Sequence, residues 1–161
     1  METRHAQYGF TLIELVIVII LIGILSTSVY LSWPKSSVSL DAQAHQIAHD
    51  IRYAQTLAMT KGQRYRFVRT SSTSYQVTNN SGTAVMLALG SAIVTLNAGI
   101  TFSGFTNLPN NLIAFDGKGT PYTNTSSPGT ALASTATISL TANGETRTIS
   151  ISPGTGRVIV S

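Results

Sequence analysis

From Phe10 to Leu31 the chain runs for 22 residues with only two ionisable groups, Glu14 and the Tyr30 phenol. At about 1.5 Å per residue such a run makes a helix of roughly 33 Å, enough to span a hydrocarbon core of about 30 Å. The run therefore predicts a membrane-spanning helix over 10–33, and everything after it must fold as a separate unit. The competing accounts are a buried core helix and a secretory signal peptide. A signal peptide has a shorter apolar stretch and normally carries no acid inside it.

Glu14 is the anomaly in that run. A carboxylate entering lipid costs on the order of 3 kcal/mol at mid-span and less near the end, and such residues usually have a partner or a task. The bland account is an interfacial acid that snorkels or protonates.

The flanking residues carry a resemblance. A short polar leader, METRHAQYG, ends at Gly9, and Phe10, Thr11, Leu12, Ile13 and Glu14 open the apolar run. This resembles the class III signal of type IV pilins and pseudopilins. The resemblance implies that a prepilin peptidase removes residues 1–9 by cutting after Gly9, and that the same enzyme methylates the new amino terminus of Phe10. It also implies that Glu14, the fifth mature residue, pairs with the terminal ammonium of a neighbouring subunit in an apolar filament core, where neither charge is tolerated alone. Glu14 is then an assembly residue. The implied setting is the bacterial inner membrane, crossed once, with the globular domain in the periplasm. The implied partners are other pilin or pseudopilin subunits, the prepilin peptidase, membrane lipid and an inner-membrane assembly platform.

The remainder, 34–161, reads as one domain. Pro34 predicts a kink or break near Ser32 to Pro34. From Ser37 to Lys61, Leu40, Ala44, Ile47, Ile51, Ala54 and Ala58 alternate steps of four and three, which draws one buried stripe on a helix ended by Gly62. From 63 to 161 short β-like runs follow: Arg64 to Val68, Ser74 to Thr78, Ala84 to Leu89, Ala92 to Leu96, Leu112 to Phe115, Thr135 to Ala142, Thr146 to Ser152 and Arg157 to Val160. Asn143-Gly144 signals a hairpin and Asp116-Gly117-Lys118-Gly119 another turn. The expected fold class is α+β, a long amino-terminal helix, membrane-spanning in its first half, packed on antiparallel sheet.

Three further stretches narrow the resemblance. DIRYAQTLAMTKGQRYRF and the ending SISPGTGRVIVS are similar to the minor pseudopilins of the GspH and FimT group. FDGKGTPY, Phe115 to Tyr122, resembles a turn seen there and in a minor pilin of the mannose-sensitive haemagglutinin system. The chain departs from the wider pattern at Leu31, where many pilins place proline. It departs again at Ile159, where DNA-binding FimT-like members carry a second arginine.

Charge leaves a second function open. Beyond the span nine lysines and arginines face four acids, a net +5. Lys61, Arg64, Arg66 and Arg69 lie close together, and on a strand Arg64 and Arg66 share one face while Tyr65 and Phe67 point to the other. With Arg157 they form the candidate nucleic-acid-binding set. The plainer account is a solvated strand face that meets a neighbouring subunit.

Other chemistry is scarce. Asp41, His45 and His49 share a helix face but lack a further ligand, so no metal site is expected. The Asp116 turn, with Lys118 in it, reads as an ordinary turn rather than a calcium loop. There is no cysteine, no phosphate loop, no nucleophile elbow and no paired acid motif, and His5 lies in the leader. No cofactor and no enzyme activity are expected. The expected function is a structural minor pseudopilin or pilin, at or near the tip of a type II secretion pseudopilus or type IV pilus. The alternative is a FimT-like DNA-binding subunit for DNA uptake.

Overall fold

The computed structural model describes residues 10–31, 35–87, 90–126 and 128–161, with the side chains of 25–37 outside the description. The leader with Gly9 and the break expected near Ser32 to Pro34 lie outside the described residues. The chain divides into two compact units, one ending at Lys35 and one running from Ser36 to Ser161.

The first unit holds helix α1, Leu12–Leu31. Thr11 caps it: its carbonyl accepts from the Glu14 and Leu15 amides at 3.1 and 3.2 Å, and its Oγ1 accepts from the Glu14 amide at 3.3 Å. Thr11 followed three residues later by Glu14 is the capping-box spacing, and an acid in the first turn also suits the positive end of the helix dipole. The described large apolar side chains of α1 from Leu12 to Ile24 are exposed almost without exception, so the helix is apolar all round and its surface lies uncovered within its own unit. Among the described residues no helix is long and apolar enough to cross a membrane; the described side chains of α1 end at Ile24.

The second unit opens with α2, Lys35–Lys61, beginning two residues before the expected start. Leu40, Ala44, Ile47, Ile51, Ala54 and Ala58 are all fully buried, which is the stripe read from the sequence. Each large member contributes about 1.5–3 kcal/mol on burial. Gly62, in the left-handed region at φ 61°, stops the helix.

Among the described residues nine strands follow: β1 Tyr65–Arg69, β2 Ser74–Thr78, β3 Ile93–Thr95, β4 Thr101–Thr106, β5 Leu112–Phe115, β6 Pro121–Tyr122, β7 Ala136–Ala142, β8 Glu145–Ile151 and β9 Val158–Val160. They form two antiparallel sheets, ordered β3-β2-β1-β5-β6 and β4-β7-β8-β9. Phe67, Tyr75, Val77 and Phe115 from the first sheet and Ile138, Leu140, Ile149 and Ile151 from the second join the α2 stripe in one core. Asn143 and Gly144, both at positive φ, make the two-residue turn between Ala142 and Glu145, as the hairpin signal requires.

Three differences from the sequence reading have physical causes. Strand β4 escapes an alternation search because a bulge between Phe102 and Gly104 sets Phe102 and Phe105, which pack ring to ring at 5.5 Å, three residues apart instead of two. Strand β6 escapes because it is two residues long and starts with Pro121, a residue tolerated only because the strand is an edge. The run expected from Ala84 to Leu89 is not a strand over the residues described: it makes one bridge, Thr78 to Ala84, closed by the Val85 amide on the Val77 carbonyl and the Asn79 amide on the Thr83 carbonyl. The chain then turns, closed by the Gly90 amide on the Leu87 carbonyl at 2.8 Å.

Candidate functional site

The three stretches that carry the narrower family resemblance meet in space around Gln55. This side chain, in the second half of α2 and half-buried, donates from Nε2 to the Gly119 carbonyl and to the Thr155 carbonyl, each at 2.9 Å. It thus ties the Asp116–Gly119 turn and the Pro153–Gly156 turn to the same helix. Glycine permits the approach. A Cβ on Gly156 would lie 2.6 Å from Gln55 Nε2 and 2.9 Å from the Phe115 ring, and one on Gly117 would lie 3.1 Å from the Gly62 Cα. The sequence motifs are therefore the parts of one junction between helix end and two turns.

Asp116 organises its turn from within. Its Oδ1 accepts from the Lys118 and Thr120 amides, both at 2.9 Å, and its Oδ2 accepts from the Tyr122 hydroxyl at 3.2 Å. Burial pushes this carboxyl up, but the Thr120 and Lys118 amides, the Tyr122 hydroxyl and the Arg64 charge together outweigh it and hold the group below its usual value. Because the folded value is depressed, the stabilisation is full above the unfolded value of about 3.9 and is lost as pH falls through the folded one. Asp116→Ala is expected to cost about 1–2 kcal/mol at neutral pH, at the low end for charged hydrogen bonds because the turn is solvated. Measured on the full chain in detergent, the gap in melting temperature between parent and variant should hold near neutral pH and narrow only as pH falls through the folded value, which lies below the unfolded one; a gap that stays constant through that fall refutes the assignment.

The basic residues do not act as one set. Arg64 precedes β1 rather than opening it; its guanidinium donates to the Ser126 carbonyl and lies 4.4 Å from the Tyr122 ring centre. Arg66 donates to the Asn80 carbonyl at 2.6 Å, and its Nε is buried. Burial and then the neighbouring Arg64 charge lower its pKa. Arg69 stacks over Phe105 at 5.1 Å. Phe67 points into the core opposite Arg66, as the alternation requires. Lys61 and Arg157 are exposed, and neither forms an ion pair among the described residues. Three of the five candidates are thus engaged within their own domain.

The helix-face candidates for metal separate likewise. His45 Nε2 lies 3.7 Å from Asp41, whereas His49 Nδ1 turns to Asp50 at 3.3 Å, and Arg147 takes the other oxygen of Asp41 at 3.2 Å. No group of three potential ligands stands together among the described residues.

At the other end of the chain, Phe10 is 85% exposed and Glu14 is exposed, with no ion-pair partner for the carboxylate among the described residues. What the sequence reading missed is that Thr11 caps α1 at the Glu14 amide, at a spacing legible in Thr11-Leu12-Ile13-Glu14. It also missed Gln55, which no spacing rule singles out, because its two acceptors lie 64 and 100 residues away.

Comparison with known proteins bears on both ends. Residues 4–30 match the prokaryotic N-terminal methylation motif, and residues 43–155 match the family described as type II transport protein GspH. No curated protein sequence gives a significant match. Among solved structures, the type IV minor pilin FimU of Pseudomonas aeruginosa is similar with a TM-score of 0.54 at 18% identity, over 76% of this chain and 87% of that one. The minor pseudopilin EpsH of the Vibrio cholerae type 2 secretion system is similar with a TM-score of 0.56 at 13% identity, over 76% and 96%. Likeness at these identities shows the shared fold, a helix packed on antiparallel sheets. The family match covers well over half of the sequence and follows the methylation motif in the same chain, so the chain belongs to the type II transport protein GspH family, with a pilin-like α+β fold.

Proposed function

We propose that the chain is a minor pseudopilin or pilin, a structural and non-enzymatic subunit of a type II secretion pseudopilus or a type IV pilus, at or near the filament tip. The observation that carries this reading is the order of matches in one chain, methylation motif over 4–30 and GspH family over 43–155. In this reading a prepilin peptidase cuts after Gly9 and methylates Phe10. The apolar run to Leu31 anchors the chain in the inner membrane before assembly, with the second unit in the periplasm. The carboxylate of Glu14, without an ion-pair partner among the described residues, then receives the terminal ammonium of an adjacent subunit. The exposed, all-round apolar surface of α1 supports this, since it needs lipid or neighbouring helices to cover it. Other pilin-like subunits and the assembly platform are the partners.

A DNA-binding role rests on Lys61 and Arg157, the two candidates without an ion pair or side-chain bond among the described residues. Two phosphate contacts give a salt slope of only about 2 on a logarithmic plot, against the steeper dependence of dedicated binders. The test runs both measurements on one protein. The full chain, expressed with its neighbouring pilin-like subunits, is expected in the sheared-filament fraction, while fluorescence anisotropy on a 30-base-pair duplex is expected to show only weak association at physiological salt. Absence from filaments combined with submicromolar DNA affinity, lost in Arg157→Ala, would reverse the ranking.

A further inference from the structure

Midway along α2 the buried face carries an acid, Asp50, only 1% exposed. Its Oδ2 accepts from the Tyr75 hydroxyl at 2.6 Å, and its Oδ1 lies 3.1 Å from Gln46 Nε2 and 3.3 Å from His49 Nδ1. Among the described residues the groups facing it are neutral or an imidazole: Gln46, His49 and Tyr53 from α2, Tyr75 from β2, and Met86 and Leu87 from the segment after the Ala84 bridge. Burial first, then the bond to Asp50 and its charge, push the Tyr75 phenol up, so Tyr75 stays a proton donor and supplies no counter-charge. No lysine or arginine pairs with Asp50 among the described residues: Arg147 takes Asp41 and Glu145, and Arg52 donates to the Val158 carbonyl. A buried carboxylate without a cation is the arrangement that proteins least often leave uncompensated.

A cleft of about 330 Å³, lined by His49, Asp50, Tyr53, Met86 and Leu87, opens beside this acid. Its walls have distinct chemistry. Asp50 forms an anionic floor, Tyr53 offers an aromatic ring, and Met86 stands 62% exposed, an apolar lip left in water. His49, whose side chain is 63% exposed, reaches Oδ1 at 3.3 Å. An anionic floor, a π-face and a thioether lip fit a cationic head on a methylene stem. We propose that this cleft receives a lysine or arginine side chain of an adjacent filament subunit, its head on Asp50 Oδ1 beside Tyr53 and its stem along Met86 and Leu87. The inference rests on the reading of the chain as a filament subunit, but the chemistry of the cleft does not.

The test separates the two. The full chain in detergent micelles is titrated with arginine amide and, in parallel, with the neutral isostere citrulline amide, following the Tyr53 and His49 ring resonances. Arginine amide is expected to give a saturable shift at least tenfold stronger than citrulline amide, lost in Asp50→Asn, a variant that keeps an acceptor for Tyr75. Equal response to both amides in the parent overturns the site, whatever the fate of the variant. The chain has no cysteine, so Met86→Cys places a single benzophenone–maleimide probe at the lip within assembled filaments. A cross-link to a lysine- or arginine-bearing peptide of another subunit, falling about tenfold with Asp50→Asn, is the expected result. An unchanged yield in Asp50→Asn, or attachment to lipid or nucleic acid, overturns the assignment of the partner. If the chain is missing from filaments altogether, the proposed function fails, and the amide titration still decides the cleft.

Discussion

Glu14→Gln should leave the start of α1 intact and yet remove the chain from filaments. Glutamine serves the capping box as well as glutamate does, so the local bonds of Thr11 survive, and loss of the charge makes membrane insertion equal or slightly easier. What disappears is the anion for a neighbouring amino terminus. Leaving one member of a buried ion pair alone costs about 3–5 kcal/mol, which in an apolar core corresponds to a hundredfold or more in association. Incorporation into sheared filaments is therefore expected to fall at least tenfold in Glu14→Gln, and as far in Glu14→Ala. If the glutamine variant assembles like the parent while the alanine variant does not, Glu14 is a helix cap and nothing more.

The second large effect is expected at Gly156. This residue sits at φ 64°, and a methyl group on it would lie against Gln55, Phe115 and the Gly119 carbonyl, whereas Gly154, at φ 71° in the same turn, has nothing within 4 Å of the place a methyl group would take. Alanine at either position costs about 1–2 kcal/mol for the left-handed backbone. At Gly156 alone it also meets atoms that cannot all withdraw, adding about 1–3 kcal/mol of overpacking. Gly156→Ala should thus cost on the order of 3 kcal/mol and lower the melting temperature by roughly 10 °C, with Gly154→Ala losing about half as much or less. Equal losses would show that the junction at Gln55 yields freely.

How far the sequence revealed this molecule depends on the range of the interaction concerned. The α2 stripe, the Asn143-Gly144 hairpin and strands β2 and β5 were legible because each is fixed by neighbours a few residues apart. Strand β4 was hidden because its bulge breaks the two-residue period on which strand reading depends. The run Arg64 to Val68 was legible as a strand, which the structure places one residue on at Tyr65–Arg69, but the fate of Arg64, Arg66 and Arg69 was not. The groups that engage them, Asn80, Phe105, Tyr122 and the Ser126 carbonyl, come from elsewhere in the chain. The same holds for Asp50, which interrupts the apolar face of α2 and finds its shortest bond 25 residues away on Tyr75. The motif at Gly9 to Glu14 was the plainest signal of all, because an acid at that place in an apolar run has few physical explanations.

That motif also supplies the most direct test. If the chain is a filament subunit, intact-mass analysis of protein extracted from membranes of cells with an active prepilin peptidase should show a chain that begins at N-methylated Phe10. The same cells without the peptidase should yield the chain with its leader in place. Retention of Met1 where the peptidase is active would contradict the account, and so would cleavage after the apolar run, which would make the second unit an ordinary exported domain.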